Sequence, residues 1–197
     1  MLRRSYTATD LARFDEDARA QLIDGVLVFE ESRPVVLGAV QAALAYGLAG
    51  PYHLGLNGPG GWWIFTETDI ILASDQAYRP DLCGVLRERM PVFQDRPQLD
   101  LRPDWVCEIL SPTSVKHDLV AKRRGYHRAA VPWYWLADPA NATLTALRWE
   151  PAGYVLHAVA TLLETAYLPP FEAAALPMQA IFPVPAGRTP QDFIQEE

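Results

Sequence analysis

The chain has 197 residues, half of them hydrophobic, and a formal net charge of -7. That length can bury a sizeable core, and the sign of the charge argues against a protein that coats nucleic acid non-specifically. The two cysteines, Cys83 and Cys107, each lie in an apolar run, so they read as reduced, buried thiols and not as a disulfide scaffold or a C-x-x-C metal pair.

In chain order, Thr7 and Thr9 are candidate N-caps for a short helix over residues 10–18. No apolar run in this region is long enough for a signal peptide, and no stretch of the chain approaches the roughly 18 apolar residues of a membrane span. The expectation is a cytoplasmic chain with no membrane contact. Asp24-Gly25 between Leu22-Ile23 and Val26-Leu27-Val28 predicts a hairpin with a two-residue turn. Residues 34–50, opening on Pro34 and rich in Ala and Leu, predict a buried or half-buried helix closed by Gly50-Pro51. The glycines of 57–61 lack the Lys-Ser/Thr of a phosphate-binding loop.

Residues 62–72 predict one or two strands, 74–80 a turn, and 81–86 a short apolar strand that opens on Asp81. Residues 90–103 carry three prolines and read as a loop placed to lie over a site. "DWVCEIL", 104–110, reads as a buried strand and 114–130 as a helix. Leu119, Val120, Ala121 and Tyr126 would pack inward, leaving Lys116, Lys122, Arg123 and Arg128 on a basic face. An aromatic strand follows at 131–138. Residues 142–150 and 153–162 pair across a Pro151–Gly153 turn, and the polar tail from about 186 is expected to fray. Strands punctuated by few helices imply a mixed α/β or α+β fold.

Two carboxylates carry the chemical signal. If the strands that hold Asp81 and Glu108 are neighbours, the acids can converge at one sheet edge. Like charges that close repel unless a cation lies between them, and a hard oxygen pair suits Mg²⁺ or Mn²⁺. Strand alternation sends Cys107 into the core and Glu108 to the opposite face. Lys122, on the helix after the Ser111-Pro112 break, could fold back beside the ion and steady developing phosphate charge. The same residues also read as a turn before a strand, an acid at a helix start and a solvated basic face. The aromatic strand reads as core, because it alternates and ends in a turn.

The order Pro80-Asp81, then Glu108-Ile109-Leu110-Ser111-Pro112-Thr113-Ser114, then Asp118, Lys122 and Tyr126, then Val131-Pro132-Trp133-Tyr134-Trp135 with Asp138-Pro139 resembles the Uma2 (DUF820) family of restriction-endonuclease-like proteins. "LIDG" at 22–25 matches the family's early hairpin, and the resemblance runs from about residue 7 to 165. It implies a PD-(D/E)xK nuclease fold, with a mixed central sheet flanked by helices and an N-terminal helix-hairpin elaboration. The whole chain would be one such domain. It also implies Asp81 and Glu108 as metal ligands and a catalytic trio of Asp81, Glu108 and Lys122. The usual lysine position, two residues after the second acid, is Leu110 here, so Lys122 is the relocated candidate.

The chain departs from the family pattern at the hairpin. Gln21 and Val26 stand where relatives carry Glu, and residues 34–37 lack a His that relatives often have. Glu30, Glu31 and Glu67 are candidate replacement acids.

Three functions remain open. The first is a Mg²⁺- or Mn²⁺-dependent endonuclease on DNA, plausibly a homodimer by analogy with folds that pair two sites on two strands. The second is a catalytically silent binding or scaffold protein. The third is a hydrolase of small phosphoesters. Lys116, His117, Lys122, Arg123, Arg124 and Arg128 are the local argument for DNA.

Overall fold

The computed structural model describes residues 5–11, 13–14, 20–29, 34–93, 95–111, 117–184 and 186–193, with the side chains of 117–119 outside the description. Thr7 caps α1 (Ala8–Leu11): its N–H and its Oγ1 both donate to Asp10 Oδ2, at 2.9 Å each, half of a capping box. The predicted helix over 10–18 is therefore earlier and shorter where it is described. β1 (Ala20–Ile23) and β2 (Val26–Phe29) form the expected hairpin. Asp24 and Gly25 have φ of 50° and 73°, the paired left-handed turn that matches strand twist.

α2 (Val35–Leu48) does not stop at Gly50-Pro51 but continues into a wider turn over Ala49–His53. This 19-residue stretch has mean hydropathy 1.3 in its most apolar window, so by length and composition one segment does reach membrane-span dimensions, against expectation. The reason is that Gln41 is the one strongly polar side chain between residues 34 and 50. Leu37, Val40, Leu44 and Leu48, at helical spacing, form its buried row. Each contributes roughly 1.5–3 kcal/mol by leaving water.

Ten of the strands build two sheets. The larger has the order β10-β9-β8-β7-β6-β3. Its members are β3 (Trp62–Thr66), β6 (Leu82–Leu86), β7 (Trp105–Ile109), β8 (Trp133–Asp138), β9 (Thr143–Glu150) and β10 (Gly153–Ala160). Only β7 and β8 pair in parallel, because the chain between them crosses over through a helix. The smaller sheet, β2-β1-β5-β4, takes up β4 (Ile70–Ala73) and β5 (Gln76–Tyr78). Gln76–Tyr78 is thus a strand where a turn was expected. The tight Ser74-Asp75 connection is the turn, and polar Gln76 masked the strand that follows it.

The larger sheet is covered on both faces. One face carries Leu82, Trp105, Cys107 and Trp135 against α2 and the C-terminal segment, where Phe171 packs edge-on to Trp62, Trp105 and Trp135. The other carries Cys83, Val106, Leu110 and Tyr134 against Tyr78 of β5 and Tyr126 of α3 (Arg123–Arg128). Two covered faces explain why every residue of β7 is buried. After β11 (Thr165–Ala166), β12 (Leu176–Pro177) and α4 (Met178–Ile181), a single turn at Pro190–Phe193 brings Phe193 onto the first core. Of residues 186–193 only Pro190 and Phe193 are half-buried, and 194–197 lie outside the described residues.

Candidate active site

Antiparallel pairing of β6 with β7 matches Leu82 to Cys107 and Cys83 to Val106. One step further along that register, Asp81 lies across from Glu108. Directly opposed residues share a face with Cβ atoms about 5 Å apart, so the two acids come together as expected, on the face away from α2. Both are buried, at 6% and 2% relative exposure. Asp81 Oδ2 accepts the Ile109 N–H at 2.6 Å. The Asp81 carbonyl accepts Gln41 Nε2 at 3.0 Å and the Glu67 N–H at 3.1 Å, tying the strand tip to α2 and to the end of β3.

The helix after β7 supplies the partners of Glu108. A wide turn over His117–Lys122 leads into α3. Lys122 Nζ donates to Glu108 Oε2 at 2.9 Å, and Tyr126 Oη donates to Glu108 Oε1 at 2.6 Å. Lys122 and Tyr126 stand four residues apart, one helical turn, so both reach the same carboxylate. Lys122 is only 4% exposed, so it belongs to the site and not to a solvated face. Leu110, at the usual lysine position, is buried in the core.

Burial, then the Glu108 charge and its hydrogen bond, push the Tyr126 phenol well above its ordinary range. The hydroxyl is therefore a fixed donor. Burial, then Glu108, raises the Cys83 thiol to about 12, and burial, then Asp81 and Glu108, raises Cys107 well above its usual value. Both thiols are inert at neutral pH.

Gln21 is buried at 3%, and its Oε1 accepts the N–H of Arg79, two residues before Asp81. The family's acid position is thus beside the site, filled here by a neutral amide. Val26 is 43% exposed, away from it. Of the three candidate replacement acids, Glu67 meets the Asp81 strand through its backbone N–H, while Glu30 and Glu31 lie outside the described residues, as do Lys116 and the side chains of His117 and Asp118. Gln41 and the role of Tyr126 were missed from sequence. A lone amide in an otherwise apolar helix was the available signal for Gln41.

The basic face is dispersed. Lys122 points inward, Arg123 donates to the Tyr154 carbonyl, and Arg128 pairs with Asp24 at the hairpin turn. Arg124 remains exposed.

Among the described residues no group of three or more His, Cys, Asp or Glu side chains could hold a metal. The donor set still fits Mg²⁺ or Mn²⁺, which commonly take one or two carboxylates and fill the other positions with water and phosphate oxygens. Among the described side chains two carboxylates, Asp81 and Glu108, meet one ammonium, Lys122, a balance that a divalent cation would complete.

An acid at the tip of each of two adjacent strands, a cationic side chain leaning in from the following helix and a mixed sheet covered on both faces define a restriction-endonuclease-like fold. The chain belongs to the Uma2 family, described as "Putative restriction endonuclease", which matches residues 6–179. A solved structure from Anabaena variabilis, described as a "putative nuclease belonging to DUF820", superposes with a TM-score of 0.72 at 17% identity, covering 89% of this chain and 97% of that one. No curated protein matches the sequence.

Proposed function

We propose that the chain is a Mg²⁺- or Mn²⁺-dependent endonuclease that hydrolyses DNA phosphodiester bonds. The observation that carries this reading is the buried ammonium of Lys122 on Glu108, beside Asp81, on adjacent strands. Asp81 and Glu108 would hold the ion. The chemistry such an ion would supply there is a lowered pKa for a bound water and neutralisation of phosphoryl charge. Lys122 would stabilise negative charge as the phosphorus becomes five-coordinate. Tyr126 fixes one oxygen of Glu108, so the carboxylate would face the ion in one orientation. The Ile109 N–H does the same for Asp81.

A second reading, a silent binding or scaffold protein, draws on two observations. Both Glu108 oxygens are already engaged, and Gln21 replaces an acid. One assay separates the two readings. Asp81→Asn keeps an acceptor for Ile109 while removing the charge. We expect wild-type protein to cut plasmid DNA only with Mg²⁺ or Mn²⁺, and the variant to lose activity by at least about a hundredfold. No cleavage by the wild type with either metal supports the silent protein, and full activity in the variant removes Asp81 from the mechanism.

A further inference from the structure

We propose that the cavity lined in part by Glu67 and Arg79, next to the strand that opens on Asp81, takes an unpaired nucleobase, an assignment that rests on the nuclease reading above. The cavity measures ≈ 720 Å³, well inside the range of small-molecule sites. Its lining includes Ala77 of β5, Ile71 of β4 and the aromatic rings of Phe14, Phe65 and Phe93.

Phe93 marks the ligand class. Its ring packs edge-on to Trp63 at 5.3 Å and tilts against Phe65 at 6.1 Å, yet the residue is 55% exposed. An aromatic ring steadied by two others and still open to solvent is a stacking surface made in advance.

The polar lining selects against phosphate. Arg79 is bound by both oxygens of Asp69, at 2.8 Å each, and Arg96 pairs with Asp100 at 2.6 Å. Each guanidinium of the lining is matched by a carboxylate, and Glu67 adds a further negative charge. Such a lining favours a neutral ring with a polar edge over an anion. Glu67 and Gln98 offer acceptors and donors to that edge.

Glu67 also links the cavity to the chemistry. It holds φ at 47°, unusual for a residue with a side chain, and its N–H donates to the Asp81 carbonyl. Arg79 stands two residues before Asp81, about 7 Å along an extended chain. A base in the cavity therefore belongs to a nucleotide next to the phosphate at the acids. Stacking on Phe93 needs a free face of the base, which a base inside a duplex does not offer, so the substrate class is DNA with an unpaired or flipped nucleotide beside the cut.

The test is ligand-observed NMR with the four free 2′-deoxynucleosides, with deoxyribose 5-phosphate as the control lacking a base. At least one nucleoside should bind the wild type and the control should not. Phe93→Ala should weaken binding about tenfold, and Glu67→Gln should change the order of preference among bases, both with unchanged far-UV circular dichroism. In a parallel assay with Mn²⁺, a duplex with one unpaired nucleotide should be cut about tenfold faster than a fully paired one. Absence of nucleoside binding, binding of the control alone, or binding indifferent to both substitutions overturns the proposal even if DNA is cut. Nucleoside binding with no cleavage of any DNA overturns the nuclease reading and this assignment with it.

Discussion

Glu108 sits 2% exposed between an ammonium and a phenol, and both help to make its buried charge tolerable. Removing one partner of a buried ion pair leaves the other uncompensated, at a cost of about 3–5 kcal/mol. Lys122→Met should therefore lower unfolding free energy in urea by about that amount, and adding Glu108→Gln should restore most of it, because the stranded charge is gone. A loss below about 1 kcal/mol in the single variant would mean that the pair is wet or mobile. Sequence spacing made the acids and the lysine legible: strand alternation put Glu108 on the face opposite Cys107, and the helix after Ser111-Pro112 brought Lys122 back. It did not reveal that Lys122 is buried, since a lysine next to two arginines looks like surface in one dimension.

Gly125 decides how closely α3 approaches the smaller sheet. A Cβ there would fall 1.9 Å from the Tyr78 hydroxyl and 2.7 Å from its Cζ. Gly125→Ala should thus push α3 outward, carrying Lys122 and Tyr126 from Glu108, at a stability cost of roughly 1–3 kcal/mol or more. Thermal denaturation checks this. Tyr78→Phe in the same chain should recover part of the loss, because the nearest atom is then absent. Strands β3 and β6 to β10, the hairpin and α2 followed from period and turn chemistry. β5 did not, because three residues are too short a run to show alternation. The length of α2 was also misjudged, since Gly50-Pro51 reads as a stop but the helix widens and continues through it.

Taken whole, the molecule buries several groups that must stay protonated. Tyr78 is raised to about 12, mainly by burial, Cys83 also to about 12, and Cys107, Tyr126 and Tyr154 are raised as well. A group with a raised folded pKa gives its full stability below the unfolded value. That value is 9.0 for the thiols and 10.0 for the phenols. Above it, each group costs about 1.4 kcal/mol per pH unit until its folded pKa is passed. The melting temperature should fall steeply above pH 9, and more steeply above pH 10. A flat profile to pH 11 would contradict the burial described here. The two sheets and their separate cores were not legible as such in the sequence, because β5, which joins the hairpin to β4, read as a turn and nothing else assigned the hairpin to a second sheet.

The most direct test of the account is whether the paired carboxylates of Asp81 and Glu108 take a divalent ion. Isothermal titration calorimetry of Mn²⁺ into the wild type and Asp81→Asn reads this without reference to any substrate. The account predicts one ion per wild-type chain and none above background in the variant. Equal binding by both, or no binding by a folded wild type, would contradict it.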